Sequence, residues 1–302
     1  MMSKKIIVKI AAGLGNQMFM YANAYALSKK YSLNLLIDNT SGYFQKKNRT
    51  LSRDYGLDIF NLSAKKSSHG DKFDNHLKHF LKKLLILFDM LSLKKTFFIE
   101  KSNKKKISSF APIDLSNSGK KIYIEGYYQS EKYFFELKKN LQNEFSINYT
   151  NISFNDIYKK NLIETNSISL HLRRNRFKSN DGKFGDPNYK GSVKFDNVID
   201  YISRGIDYFR KNTKDPHFFI WSDNFEGIEK YFNGDDFTYI RGENIKHDFY
   251  LFQFAKHFIV SPSTFHWWGA WLNNSLNKIC LRPKNINPSN NTDFWPEKWI
   301  GI

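Results

Sequence analysis

The hydrophobic residues of this chain follow two rhythms, and their order along the sequence outlines a layered α/β fold. Lys5 to Ile10 (KIIVKI) is a short β run. It breaks at AAGLGNQ, and Met18 to Tyr31 then turns helical, with Met18, Tyr21, Ala22, Tyr25 and Ala26 along one face. Leu33 to Asp38 (LNLLID) is the next strand. Strand, glycine-rich turn, helix, strand is how a nucleotide-binding α/β layer begins. Lys120 to Glu125 is a further strand, followed by a turn and a helix. Past the midpoint, Ile168, Leu170 and Leu172 alternate with Ser169, His171 and Arg173, the period of a strand. Phe195 to Arg210 predicts a helix, His217 to Ser222 a buried strand, and Phe237 to Ile240 a short one. A helix over Asp248–Lys256, a strand over His257–Val260 and the apolar helix of SPSTFHWWGAWLNN complete the pattern. These β-α-β repeats predict a second parallel sheet. The polar, Asn-rich stretch from Asn148 to Asn166 sets the division into domains 1–150 and 151–302.

One segment interrupts the first domain. Residues 65–106 hold twelve lysines against four acidic residues, around the apolar block LKKLLILFDMLSL. Leu77, Phe80, Leu81, Leu84, Leu85 and Phe88 recur at helical spacing, so a basic amphipathic helix is expected as an insertion. Two readings follow from it. The helix packs on the first domain with its lysines in water, or it rests on an anionic membrane surface, with the protein peripheral to the inner membrane.

Composition narrows the class. At 302 residues with 41% hydrophobic and 17% aromatic residues, the chain has ample material for two cores. A formal net charge of +18 favours an anionic partner: nucleic acid, a phosphorylated substrate or an acidic membrane. No nucleic-acid module is recognisable, and few aromatics stand between the lysines of the basic run. Cys280 is the single cysteine, so neither a disulfide framework nor a cysteine zinc site can form, and a reducing, cytoplasmic compartment fits. Lys9 interrupts the apolar run near the start, which reads as a first strand rather than a signal peptide.

Candidate chemistry gathers at three places. The strand ending at Leu172 runs into Arg173-Arg174, with Arg176 beyond, and guanidinium forks at a strand's C-terminal edge suit phosphate oxygens. The alternative there is a solvated basic turn. Ser261-Pro262-Ser263-Thr264-Phe265 stands between a strand and a helix, and a helix start with free N–H groups and hydroxyls is a phosphate site. In the first domain, Gly13-Leu14-Gly15 lacks the third glycine of a dinucleotide fingerprint. Asn16 and Gln17 follow it, as amides for a sugar or phosphate or, in the case of Asn16, as a helix cap. Trp267, Trp268 and Trp271 read as core.

Five stretches occur in register: GLGNQMFMYANAYAL, EGYYQSEKYF, SLHLRR, FIWSDNFEGIEKYF and KHDFYLFQFAKHFIVSPSTFHWWGAWLN. Together they resemble the bacterial α-1,2-fucosyltransferases, the galactoside 2-α-L-fucosyltransferase family, from about Lys5 to the final FWPEKWI, the lysine-rich 40–120 region apart. The Gly-x-Gly-Asn-Gln, His-x-Arg and Ser-Thr-Phe pieces also resemble the protein O-fucosyltransferases. The resemblance implies a B-type glycosyltransferase, two Rossmann-like domains facing a cleft, the first on the acceptor side and the second binding the sugar nucleotide. It implies inverting transfer of L-fucose from GDP-β-L-fucose to the 2-hydroxyl of a galactose-terminated oligosaccharide or lipid-linked glycan in surface glycan synthesis.

By position, Arg173 and Arg174 hold the diphosphate, with His171 beside them; Ser263, Thr264 and Phe265 contact it; and Asp248 reads guanine. Asp223 contacts ribose or base, and Asn16 and Gln17 face the donor, Asn16 with Arg173 as catalytic. No Asp-x-Asp pair is present, so no metal is expected and arginines take the cation's place. Glu125, Asp181 and Asp186 are candidates for the base that takes the acceptor proton. Two departures stand out: Asn175-Arg176 where the family continues Gly-Asp, and His266 where relatives carry Ser. They admit a related donor such as GDP-colitose. A non-catalytic sugar-nucleotide-binding protein and a basic nucleic-acid-binding protein are the readings from other classes.

Overall fold

A computed structural model of the protein describes residues 4–44, 54–100, 109–147, 157–178, 193–242, 244–289 and 291–302. In the first half the order is β1 (Lys5–Lys9), α1 (Leu14–Lys30), β2 (Asn34–Asp38), β3 (Lys65–Lys66), α2 (His76–Leu91), β4 (Lys95–Ile99), β5 (Ser118–Glu125) and α3 (Lys138–Glu144). In the second it is α4 (Ile157–Glu164), β6 (Asn166–Leu172), α5 (Phe195–Asn212), β7 (Pro216–Ser222), β8 (Phe237–Tyr239), α6 (Ile245–Leu251), β9 (His257–Ile259), α7 (Thr264–Leu272), β10 (Cys280–Arg282) and β11 (Ile300–Gly301). The strands form two sheets, ordered β3-β2-β1-β5-β4 and β11-β10-β9-β6-β7-β8, and every pairing between them is parallel. The chain divides into two compact units: residues 1–148 with 289–294, and residues 149–288 with 295–302. The short return of 289–294 to the first unit has no counterpart in the sequence pattern.

In the first unit, β1 runs through the middle with Ile6, Ile7 and Val8 fully covered. The helix after it is longer than its apolar face predicts. It starts at Leu14, so Gly15, Asn16 and Gln17 form its first turn, and Gly13 rather than Asn16 is the N-cap. Almost the whole of α1 from Leu14 to Leu27 is buried, which is why a single apolar stripe describes it poorly. The left-handed residue of the turn is Ala12, at φ +63°, while Gly13 is extended.

In the second unit, α5 covers the sheet with the stripe Val198, Ile199, Ile202, Ile206 and Phe209. Gly205 brings this helix down on β9, where a Cβ would come within 2.9 Å of Ile259. The Tyr201 hydroxyl lies 3.0 Å from the carbonyl of Val260 and 2.8 Å from that of Leu281, tying α5 to the ends of β9 and β10. Trp267, Trp268 and Trp271 are core, with Trp267 stacked on Trp271 at 5.8 Å, and Cys280 is buried. Among the described residues no helix is long and apolar enough to cross a membrane.

The basic helix departs from one of its two readings. α2 does not pack its apolar face on the first unit: Lys82 is its one buried residue, while Leu77, Phe80, Leu84, Leu87 and Phe88 are exposed. It is also followed by a sheet strand, β4, which the lysine-rich composition conceals.

Candidate active site

β6 is central in its sheet with both faces buried, Ile168, Leu170 and Leu172 on one and the polar Ser167, Ser169 and His171 on the other. Strand order turns at β6: β7 and β8 lie on one side, and β9, β10 and β11 on the other. In open parallel sheets such a switch point, at the carboxyl ends of the strands, is where ligands bind. Register pairs Leu172 with Ser222 and Leu170 with Ile259. The segments leaving these strands, Arg173-Arg174, Asp223 and Ser261–Thr264, therefore share one edge.

Arg173 lies with its Nε 3.5 Å from Asp223 Oδ2 and without a hydrogen-bond acceptor among the described residues. Burial works against its charge and nearby Arg176 adds to that, while Asp223 supports it. A guanidinium held this way gains from any further anion. Arg174 is anchored sideways, its Nε donating to the Glu226 carbonyl at 3.0 Å. Asp223 also accepts from the Asn175 amide at 3.2 Å, and Asn224 Nδ2 donates to Asn175 Oδ1 at 3.2 Å. The Asp223 carboxylate thus braces Arg173 and the turn behind it. Asn175 belongs to the same knot between the ends of β6 and β7, which explains one of the two departures from the family pattern.

Across the edge, Ser263 occupies the N-cap of α7, yet its hydroxyl makes no capping bond and is buried without a partner, as is that of Ser261. The amides of Thr264 and Phe265, in the first turn, meet no acceptor among the described residues. His266 holds this turn from below. Its Nδ1 accepts from the Ser261 amide at 3.3 Å, which places the proton on Nε2 facing Ser169 Oγ at 3.0 Å. Fully buried, it stays neutral, its pKa pushed down to about 3 by desolvation. His266 is thus a strut between β6 and the α7 turn. His171 is buried against Phe265 and His266, with Nδ1 unpaired. Burial first, then His266 and Arg173, hold it well below the usual histidine range.

α6 is seated on the same turn through Phe249 and Phe252, whose rings lie 5.7 and 5.4 Å from that of Phe265. It is shorter than the predicted Asp248–Lys256 and puts Asp248 in its first turn, after an Asn244 cap. Asp248 Oδ1 is buried without a partner, and desolvation raises the carboxyl to about 6. Gly242 roofs it: a Cβ there would sit 2.1 Å from Oδ1.

The first unit's sheet has its own switch point, between β1 and β5, and Asn16 and Gln17 lie there. Gln17 does not face a donor. Its Nε2 donates to the carbonyls of Ala12 (2.8 Å) and Asp54 (2.9 Å), its Oε1 accepts from Gly56 N (2.8 Å), and the side chain is buried. Asn16 Oδ1 accepts from Gln129 Nε2 at 2.7 Å, and Gln129 Oε1 accepts from Ser289 Oγ at 2.7 Å. That chain fixes the Asn16 side chain through its oxygen. Glu125 is engaged in ion pairs with Lys82 and Lys9, which, against burial, hold its carboxyl below the usual range. Asp181 and Asp186 lie outside the described residues. Sequence pattern does not single out Gln129 or Ser261, although both fall inside the motifs, beside residues that it does.

Similarity places the chain and its fold in a class. The chain belongs to glycosyl transferase family 11, the family of the α-1,2-fucosyltransferases, whose model matches residues 5–302. It is 31% identical over 313 residues to an α-1,2-colitosyltransferase of Escherichia coli, with 98% of each chain covered. To the O-antigen biosynthesis glycosyltransferase WbnK of Escherichia coli it is 27% identical over 312 residues, covering 97% of this chain and 99% of the other. Among solved structures, the fucosyltransferase NodZ from Bradyrhizobium shares the fold at a TM-score of 0.51 and 10% identity, over 90% of this chain and 94% of that one. NodZ has also been co-crystallised with GDP.

Proposed function

We propose that this glycosyltransferase moves L-fucose from GDP-β-L-fucose, with inversion, to the 2-hydroxyl of a galactoside in a bacterial surface glycan. One observation carries the reading: buried polar groups without partners line the switch-point edge of the second sheet. Arg173 and the α7 turn, with Ser261, Ser263 and the amides of Thr264 and Phe265, suit a diphosphate. The unpaired Asp248 carboxylate suits the adjacent N–H donors of guanine. Arg174 supports Arg173 from the side, and neutral His171 closes the floor. Asp223 positions Arg173 rather than touching the donor. The GDP complex of NodZ is consistent with the nucleotide.

In the reaction the acceptor 2-oxygen bonds to the anomeric carbon from the face opposite GDP. The bond from that carbon to the β-phosphate oxygen breaks, the electron pair leaves with GDP, and the proton of the 2-hydroxyl passes to a carboxylate base or to water as the new bond forms. Arg173 faces the charge that grows there, which is the largest lever such a site has. Fixed guanidinium charge does this without a metal, so transfer is expected to persist in a chelator.

A second reading has a specific support, the 31% identity to a colitosyltransferase: the donor is GDP-colitose, which lacks the 3-hydroxyl of fucose. Purified enzyme with lactose or N-acetyllactosamine, offered GDP-fucose or GDP-colitose in EDTA, decides between them by product mass. The donor with the larger kcat/KM is the substrate. Failure to turn over either one, together with no thermal stabilisation by GDP and a clear one by oligonucleotides, sinks the transferase reading.

A further inference from the structure

α2 is mounted inside out. Its inward residues, Lys78, Lys82, Ile86 and Asp89, recur at helical spacing, and all but Ile86 are charged. Lys82 is buried, paired with Glu125 and set 5.0 Å over the Tyr123 ring. Asp89 accepts from the amides of Thr96 (2.7 Å) and Phe97 (3.1 Å), and Lys78 Nζ donates to the His69 carbonyl at 2.8 Å. Asn75 caps the first turn at 2.9 Å. These specific polar contacts fix which way the helix faces. The outward side is Leu77, Phe80, Leu84, Leu87, Phe88 and Leu91, with Leu91 87% exposed and Leu93 just beyond at 95%. Beside the helix a cavity of about 280 Å³ is walled by Leu85 and Phe88 of α2 together with Phe73, Phe97 and Tyr123, and Leu77, Phe80, Leu84, Leu87 and Leu91 lie outside it. Sixteen helical residues make it about 24 Å long, and monomeric proteins rarely leave so continuous an apolar strip in water.

Charge identifies what covers it. The acidic residues of this segment are all turned inward. Asp71 pairs with Lys5 and Lys121, at 2.7 and 2.8 Å, and Asp74 accepts from Thr40 at 3.0 Å. Asp89 serves β4, and Glu100 accepts from the Tyr127 amide at 2.6 Å. Lys83 and Lys94, beside the apolar strip, are exposed and ion-paired with nothing among the described residues. A second copy of the chain laid on this face would set lysines against lysines, with no carboxylate on the rim to answer them. An anionic bilayer answers both features: its acyl boundary takes the leucines and phenylalanines, and its phosphates take the lysines.

We propose that α2 docks the protein on an anionic phospholipid surface. The test is co-sedimentation of the whole protein with vesicles of phosphatidylcholine alone or mixed 1:1 with phosphatidylglycerol. At least about tenfold stronger partition onto the mixed vesicles is expected, and weaker partition in high salt. Neutralising two lysines, K83Q with K94Q, is expected to weaken it roughly thirtyfold, each lysine near an anionic surface being worth about fivefold. L84E with F88E is expected to abolish it while circular dichroism and melting temperature stay put, since both side chains are exposed. No partition, equal partition onto both vesicle types, or binding indifferent to the lysines overturns the proposal. So does a solution dimer that F88E breaks without any vesicle binding. The assay needs no sugar nucleotide, so its outcome is independent of the donor assignment.

Discussion

The two sheets of this enzyme end alike and leave their polar groups in opposite states. At the β1/β5 edge the amide of Gln17 makes three hydrogen bonds to its own unit, Glu125 is held by two lysines, and Asn16 is held through Gln129 to Ser289. At the β6/β9 edge His171 Nδ1, Asp248 Oδ1 and the hydroxyls of Ser261 and Ser263 are buried and unpaired, and Arg173 Nε has only its long ion pair with Asp223. Each such group costs the folded protein about 1–3 kcal/mol, a cost that a ligand meeting it removes. The first edge is built as scaffold and the second as a receptor. Substitutions at the two edges should therefore fail in different ways.

The largest effect is expected from Arg173→Ala, which should lower turnover with the preferred donor at least about a hundredfold, the scale of losing one transition-state contact. Its melting temperature should hardly move, since the lost ion pair is long and partly exposed. Near-normal turnover would end the receptor reading of this edge. Gln17→Ala is the mirror experiment. It strands the Gly56 amide and two carbonyls, and should cost about 2 kcal/mol in denaturant unfolding while kcat per folded molecule holds. If GDP affinity fell with stability unchanged, the scaffold reading of the first edge would fail.

The contrast also separates what sequence makes legible from what it does not. β6 and the arginines after it can be read directly, because alternation and charge are local properties. The start of α1 cannot, since Gly15 and Asn16 are poor helix formers and the turn is fixed by Gln17 bonding to Asp54 and Gly56, some forty residues away. Periodicity finds α2 and its two faces, but not which face the protein takes. That depends on Glu125 and on the β4 amides of Thr96 and Phe97. Asp248 is recognisable by motif, whereas its isolation depends on Gly242 and the packing of Phe265.

Asp248 sharpens the comparison through pH. Its carboxyl titrates near 3.8 unfolded and at about 6 folded, raised by burial. The folded protein thus holds a proton that the unfolded chain has released between those values, and the group's contribution to stability falls as pH climbs through that window. At neutral pH the ionised form costs up to about 3 kcal/mol. Asp248→Asn should return about 1 kcal/mol at pH 7, since its amide is left unpaired in turn. The same change should weaken GDP binding about tenfold at pH 7. Wild-type affinity should drop as pH falls below about 6, where the carboxylate takes up its proton, and the variant's should stay flat. Calorimetric titration with GDP between pH 5 and 8 measures both. A variant that loses stability and keeps its affinity would make Asp248 structural.

The smallest effect tests the rule most finely. A serine at a helix N-cap ordinarily bonds the first turn, and replacing it with alanine costs about 1 kcal/mol. Ser263 holds that position with its hydroxyl buried and unpaired, so Ser263→Ala should raise rather than lower the melting temperature of the free protein, by about a few degrees at most. The loss should appear only with nucleotide present, as a GDP affinity about three- to fivefold weaker, the worth of one modest hydrogen bond. The opposite pairing, a lower melting temperature with affinity intact, would mean that the hydroxyl caps α7 in solution. The β6/β9 edge would then be satisfied by its own unit as the β1/β5 edge is, and the difference between the two would rest on Arg173 and Asp248 alone.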